Sequence, residues 1–79
     1  MARIIDSEKK NLIGDALKQL RRKLKISQQD LSNKLELVGV YICRGSISRI
    51  EDYSRTVTDI ELFAIAEVLG VDPKELYKG

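Results

Sequence analysis

The sequence predicts an all-α domain of five short helices around one core. Apolar residues recur at helical i, i+3, i+4 and i+7 spacing almost throughout, and no stretch sustains the period-2 alternation of a strand, although Val40-Tyr41-Ile42 is β-prone. Only one proline and five glycines punctuate the chain, and no segment is repetitive or of low complexity. Seventy-nine residues suit a single domain, 1–79, with a core over about 7–77 and residues 1–6 as a candidate flexible arm.

The first helix is predicted from near Ser7 to near Lys25, with Glu8 in its first turn. Ile13, Ala16, Leu17, Leu20 and Leu24 form one continuous stripe along it. Arg21, Arg22, Lys23 and Lys25 crowd its C-terminus, where cations offset the negative end of the macrodipole. The second helix starts at Ser27, because Ser27 and Asp30 have the spacing of a capping box. Leu31, Leu35 and Val38 continue its inner face, and Gly39 suits the position just past its end. A third helix over about Arg44 to Asp52 turns Ile47 and Ile50 inward, and Cys43 reads as a buried or capping residue. The fourth opens with a second capping box, Thr58 and Glu61, carries Leu62, Ile65, Ala66 and Leu69 at core spacing, and stops at Gly70. The fifth has Asp72 as N-cap, Pro73 at N1 and Glu75 at N3 before Leu76 and Tyr77.

Composition removes most enzyme chemistries. Histidine is absent and cysteine occurs once, so the usual zinc sets, Cys-His pairs and intrachain disulfides cannot form. Phosphate-loop, dinucleotide and nucleophile-elbow motifs are missing. Glu51 and Asp52 are adjacent, so on a helix they diverge by about 100° and cannot share a site. The expectation is a binding module rather than an enzyme, with no cofactor and no metal. No apolar run approaches a membrane span and no signal-peptide core is present, which together with the lone thiol points to the cytoplasm.

The net charge of +2 conceals a gradient: residues 1–25 hold eight basic side chains against three acidic ones, and residues 56–79 hold two against five. Such a one-sided field suits a polyanionic partner, although a charged fraction of 33% is also ordinary for a helical surface. The third helix is the more informative. Opposite Ile47 and Ile50 lie Gly45, Ser48, Arg49 and Asp52, with Arg44 on the flank. Small residues let a backbone approach closely, and arginine offers a fork for guanine or for phosphate. A plain solvated helix would have the same composition.

Three blocks carry a resemblance that separates these readings. Ile26-Ser27-Gln28-Gln29-Asp30-Leu31-Ser32-Asn33-Lys34-Leu35, Ile47-Ser48-Arg49-Ile50-Glu51 and Glu61-Leu62-Phe63-Ala64-Ile65-Ala66-Glu67-Val68-Leu69-Gly70-Val71 together resemble the Cro/C1-type (XRE family) helix-turn-helix domain, from about Ile13 to Tyr77. The resemblance implies a five-helix, phage-repressor-like fold that places its third helix in the major groove of double-stranded DNA, as a homodimer on a palindromic operator. It implies a transcriptional regulator of a prokaryote or phage, a repressor more than an activator. By position, Gln28 matches a backbone-contacting glutamine, beside free N–H groups suited to phosphate. Arg44, Gly45, Ser46, Ser48 and Arg49 match the reading positions, and Arg55 and Thr56 match a phosphate-contacting loop. Arg21 and Glu51 match a structural ion pair. Blander roles exist for several of these: a polar first-turn residue for Gln28, a solvated partner of Asp52 for Arg49.

Two departures from the family pattern stand out. The connection over 36–46 is lengthened, with Val38 to Ile42 as an extra segment whose apolar residues are expected to pack onto the core. Tyr53 stands where relatives often carry a glycine of positive φ, so the third helix is expected to end differently and to displace Arg55. A competing function is a protein-interaction module of antitoxin or anti-repressor type, or a domain under a protein regulator. Its mark would be an exposed apolar patch among Ile4-Ile5, Val40-Tyr41-Ile42 and Tyr77.

Overall fold

The computed structural model describes residues 9–77. Four α-helices follow in order, α1 (Gly14–Lys23), α2 (Gln28–Leu37), α3 (Arg44–Glu51) and α4 (Asp59–Leu69), and a 3₁₀ turn spans Pro73–Tyr77. The described residues are all-helical, without a strand. The core is one cluster to which every element contributes: Leu17, Leu31, Leu35, Ile47, Ile50, Ile65 and Leu76 are fully buried. Burying each such side chain is worth about 1.5–3 kcal/mol. The α3 helix packs against both α1 and α2, so its orientation is set from two sides.

Three expectations are corrected. The fifth helix is a 3₁₀ turn and not an α-helix: Asp72 caps it, its carbonyl accepting from the Glu75 N–H at 2.9 Å and its carboxylate from the Lys74 N–H at 3.0 Å. Five residues led by a proline return few i→i−4 bonds for the order they require, so the tighter turn prevails. The first helix starts at Gly14; Ser7 and Glu8, and residues 1–6 with Ile4 and Ile5, lie outside the described residues. Asn11 is the cause, because its Oδ1 accepts from the N–H groups of Ile13 (2.9 Å) and Gly14 (3.0 Å) and starts the helix there. Finally, Leu24 and Val38 end their stripes in solvent rather than in the core, since each lies at a helix end where the chain turns away. The extra segment divides likewise: Val40 and Ile42 pack inward, but Tyr41 is 77% exposed.

All four α-helices end in the same way. A residue of left-handed backbone follows each helix, Lys25 (φ 58°), Gly39 (84°), Tyr53 (67°) and Gly70 (70°). Each time the next two N–H groups close back onto the last turn: Lys25 to Arg22 and Ile26 to Arg21, Gly39 to Glu36 and Val40 to Leu35, Tyr53 to Ile50 and Ser54 to Arg49, Gly70 to Glu67 and Val71 to Ala66. These are Schellman closures, which satisfy carbonyls that a helix end leaves free. Two of the four left-handed positions are filled by glycine, which bears the conformation without steric penalty; Lys25 and Tyr53 bear it with a side chain.

Lys25 tests the argument simply. A non-glycine residue in this region costs about 1–2 kcal/mol, part of which glycine returns through its larger unfolded-state entropy, about 0.5–1 kcal/mol. Lys25→Gly is therefore expected to stabilise the domain by up to about 1 kcal/mol and to raise the melting midpoint by about 4–8 °C per kcal/mol. A lowered midpoint in a calorimetric melt would contradict this.

Candidate nucleic-acid interface

The site is built on the turn that joins α2 to α3. At the start of α2, Ser27 Oγ accepts from the Asp30 N–H at 2.9 Å while Asp30 Oδ2 accepts from the Ser27 N–H at 3.0 Å. These bonds hold the Asp30 carboxyl below its ordinary value. The far end of α3 is fixed by charge. Glu51 is only 7% exposed, and its carboxylate accepts from Arg21 Nε at 2.8 Å, Arg21 Nη2 at 3.0 Å and Gln28 Nε2 at 3.1 Å. Arg21 Nη1 also donates to the Ile26 carbonyl at 3.0 Å. One carboxylate thus ties α1, the turn after it, α2 and α3 together, and the guanidinium is held more basic than usual by its bond to Glu51. Gln28, matched by position to a phosphate contact, spends a side-chain donor on Glu51.

Arg44, Gly45, Ser48 and Arg49 are exposed along the outer face of α3, and Ser46 is half-buried behind them. Among the described residues neither Arg44 nor Arg49 pairs with a carboxylate. Asp52 turns to Ser54 instead, accepting from its N–H at 3.0 Å and from its hydroxyl. A Cβ built on Gly45 would meet one atom, Arg49 Nη1 at 3.9 Å. Packing within the domain therefore does not require glycine there, and the Arg49 guanidinium lies back over Gly45, one turn toward the helix start. Cys43 precedes this face and is exposed rather than buried; its Sγ donates to Ser46 Oγ at 3.4 Å. It occupies the N-cap position of α3, the capping alternative of the sequence reading, and its thiol is held below the ordinary value by the Ser46 hydroxyl, by the N–H groups that open α3 and by Arg49.

The loop after α3 differs from expectation. Tyr53 takes the left-handed conformation usual for glycine, so α3 closes as it would with a glycine and does not end differently as expected. Arg55 does not project freely: its Nη1 and Nη2 fork onto Glu61 at 3.1 and 2.8 Å, and Nη1 also donates to the Thr56 carbonyl. Thr56 is exposed. Glu61 also closes the α4 capping box by accepting from the Thr58 N–H at 3.0 Å, and the Arg55 guanidinium, first among its partners, holds its carboxyl below the ordinary carboxylate range. Because the folded value is depressed, the stabilisation is complete at neutral pH and fades as pH falls through that lowered value.

Sequence reading missed Asn11. Besides starting α1, its Nδ2 donates to the carbonyls of Ile50 (3.0 Å) and Arg55 (2.9 Å), so one amide joins α1 to both sides of the α3 exit. The preference of asparagine for helix starts was the available signal. Gly14 permits the same approach: a Cβ there would lie 2.8 Å from the Ile50 carbonyl oxygen and 3.0 Å from that of Glu51.

The helix-turn-helix family model HTH_3 matches residues 17–76. The chain belongs to the Cro/C1-type helix-turn-helix family. Among solved structures it is similar to the restriction-modification controller protein C.AhdI from Aeromonas hydrophila, at 25% identity and a TM-score of 0.72, over 81% of this chain and 89% of that one. No curated protein sequence matches significantly. With the family established, the domain is a DNA-binding transcription regulator. No described helix is long and apolar enough to cross a membrane, and no described cluster of His, Cys, Asp or Glu could hold a metal ion.

Two substitutions test this architecture. Glu51→Ala strands Arg21 beside a buried face and is expected to cost about 3–5 kcal/mol, a large share of a small domain's stability. A denaturation midpoint close to that of the parent would show the cluster to be solvated. Gly45→Ala is expected to do the opposite in the free protein, stabilising it by about 1 kcal/mol through helix propensity, while weakening DNA binding. Unchanged or improved affinity would show that nothing approaches the backbone at Gly45.

Proposed function

We propose that the protein is a sequence-specific transcriptional regulator that binds a palindromic operator as a homodimer and represses by occluding the base pairs it covers. Arg44, Ser48 and Arg49 are the base-edge readers, and Gly45 and Ser46 line the close approach of α3 to the groove. Phosphates are met by the N–H groups at the start of α2 beside Gln28, and by Thr56. Arg55 contributes by holding the loop against Glu61. The observation that carries this reading is the outer face of α3, where two arginines with no carboxylate partner among the described residues flank a glycine that internal packing does not need. The similarity to a restriction-modification controller protein supports a regulatory role on DNA.

A second reading, as a domain whose main partner is a protein, draws on a different surface. Ile60 and Phe63 are exposed on α4, and Phe63 and Val38 line one notch with Ala64 and Glu67. Leu37, next to Val38 in the chain, is 87% exposed. This patch is not the one the sequence suggested; of those residues Tyr41 and Tyr77 are exposed, whereas Val40 and Ile42 are not. It offers apolar area to a second copy or to a protein regulator.

Selection of bound sequences from a random duplex pool, followed by a salt titration, separates the two. For DNA binding through about three to five phosphate contacts, log K falls against log salt with a slope near −0.9 per contact. In the same assay Arg49→Ala is expected to cost about 1–3 kcal/mol and to relax the preference at one base pair of each half-site. A flat titration with no enriched sequence would refute the proposal. Loss of affinity with an unchanged consensus would make Arg49 a phosphate contact.

A further inference from the structure

Tyr53 combines a conformation that side chains avoid with contacts that hold it there. Its φ of 67° places it in the left-handed region, and the cause is local: its N–H closes α3 onto Ile50, and Ser54 closes onto the Arg49 carbonyl at 2.9 Å. The ring does not turn out to solvent. Its hydroxyl accepts from the N–H of Asp15 at 3.0 Å, one of the first-turn donors that α1 leaves free. Its carbonyl accepts from the Lys10 N–H at 3.0 Å. Lys9 Nζ stands 4.5 Å from the centre of the ring, within range of a cation–π contact. Tyr53 Cε1 would lie 3.0 Å from a Cβ on Gly14, so the ring also depends on the missing side chain there. A residue kept in an unfavourable backbone region by this many partners is a feature that strained functional segments share.

We infer that Tyr53 is a positioning residue for DNA binding: it docks the exit of the recognition helix onto the start of α1 and brings Lys9 and the turn that carries Thr56 into one phosphate-contacting group. This inference rests on the DNA-binding reading and adds to it a cation, Lys9, from outside the helix-turn-helix. The chemistry suits a polyanionic backbone. Lys9 supplies a charge that no carboxylate neutralises among the described residues, and Thr56 is an exposed hydroxyl residue in the turn that Tyr53 opens. Ser54 and Arg55, between Tyr53 and Thr56, are already committed to Asp52 and to Glu61. The group reads no bases, so its loss weakens all sequences alike.

The test uses three variants of the whole chain against the selected duplex and a scrambled one. Tyr53→Phe removes only the bond to Asp15; Tyr53→Gly removes the ring and relieves the backbone; Lys9→Gln removes the charge. Lys9→Gln is expected to lower the salt slope by about one unit, with an unchanged melt and consensus. Tyr53→Gly is expected to bind both duplexes about tenfold more weakly while melting no lower than the parent, and Tyr53→Phe to fall between. Hydrogen exchange at the Asp15 amide should quicken in both tyrosine variants. A purely structural role would make affinity follow stability, so folded variants binding within twofold of the parent would overturn the inference and leave DNA binding intact. If Tyr53→Gly does not fold, Tyr53→Phe decides by the same criterion. A parent chain that selects no DNA would overturn both.

Discussion

The carboxylate of Glu51 is the constraint around which the helix-turn-helix is arranged. It sits at the C-terminal end of α3, where a negative charge is opposed by the helix macrodipole, and it is almost wholly removed from water. Such a charge persists only with full compensation. Arg21 supplies a two-pronged contact from α1, and Gln28 adds a donor from the first turn of α2. The same guanidinium reaches the Ile26 carbonyl just before α2 begins. Hydrophobic packing would tolerate small rotations of α3 over Leu17, Leu31 and Leu35, because it is non-directional. The bidentate ion pair does not, since it fixes both distance and orientation. An outer face carrying Arg44 and Arg49 is useful for recognition only when its angle is set in this way.

A second fixture acts on the same end of α3 from the other side. Asn11 bonds the Ile50 and Arg55 carbonyls, Lys10 bonds the Tyr53 carbonyl, and Gly14 lets α1 approach the α3 backbone without a Cβ between them. The α3 helix is therefore held at its C-terminus by a charged cluster and by a backbone clasp, whereas its N-terminal turn is exposed around Cys43, Arg44 and Gly45. Rigidity at one end and access at the other fit a helix that presents its first turns to a partner.

Much of this was legible in the sequence, for physical reasons that differ by element. The starts of α2 and α4 could be read because a capping box needs two residue types at one spacing, and both boxes form. The ends of α2 and α4 could be read because glycine marks a left-handed position; those of α1 and α3 were harder because Lys25 and Tyr53 take that conformation without being glycine. Charges near the end of α1 pointed only to dipole compensation; it was the family resemblance that singled out Arg21 as the partner of Glu51, and the two do pair. Gln28 and Arg55 show a limit of matching by position. Each has an internal carboxylate partner, Glu51 or Glu61, far enough along the chain that no local pattern reveals it. The exposed apolar surface was read in part: Tyr41 and Tyr77 are exposed as suggested, but Leu24 and Val38 were assigned to the core because helical periodicity does not tell which end of a stripe meets it.

The most direct measurement is a residue-by-residue map of backbone and arginine side-chain resonances as a selected duplex is titrated into the labelled protein. If α3 is the reading helix, the largest changes fall on Arg44 to Arg49, with a second group at Ser27 and Gln28 and a third at Ser54 and Thr56, while the Arg21 side-chain signal persists because its ion pair is internal. Changes gathered instead on Leu37, Val38, Ile60 and Phe63, with α3 unmoved, would contradict it.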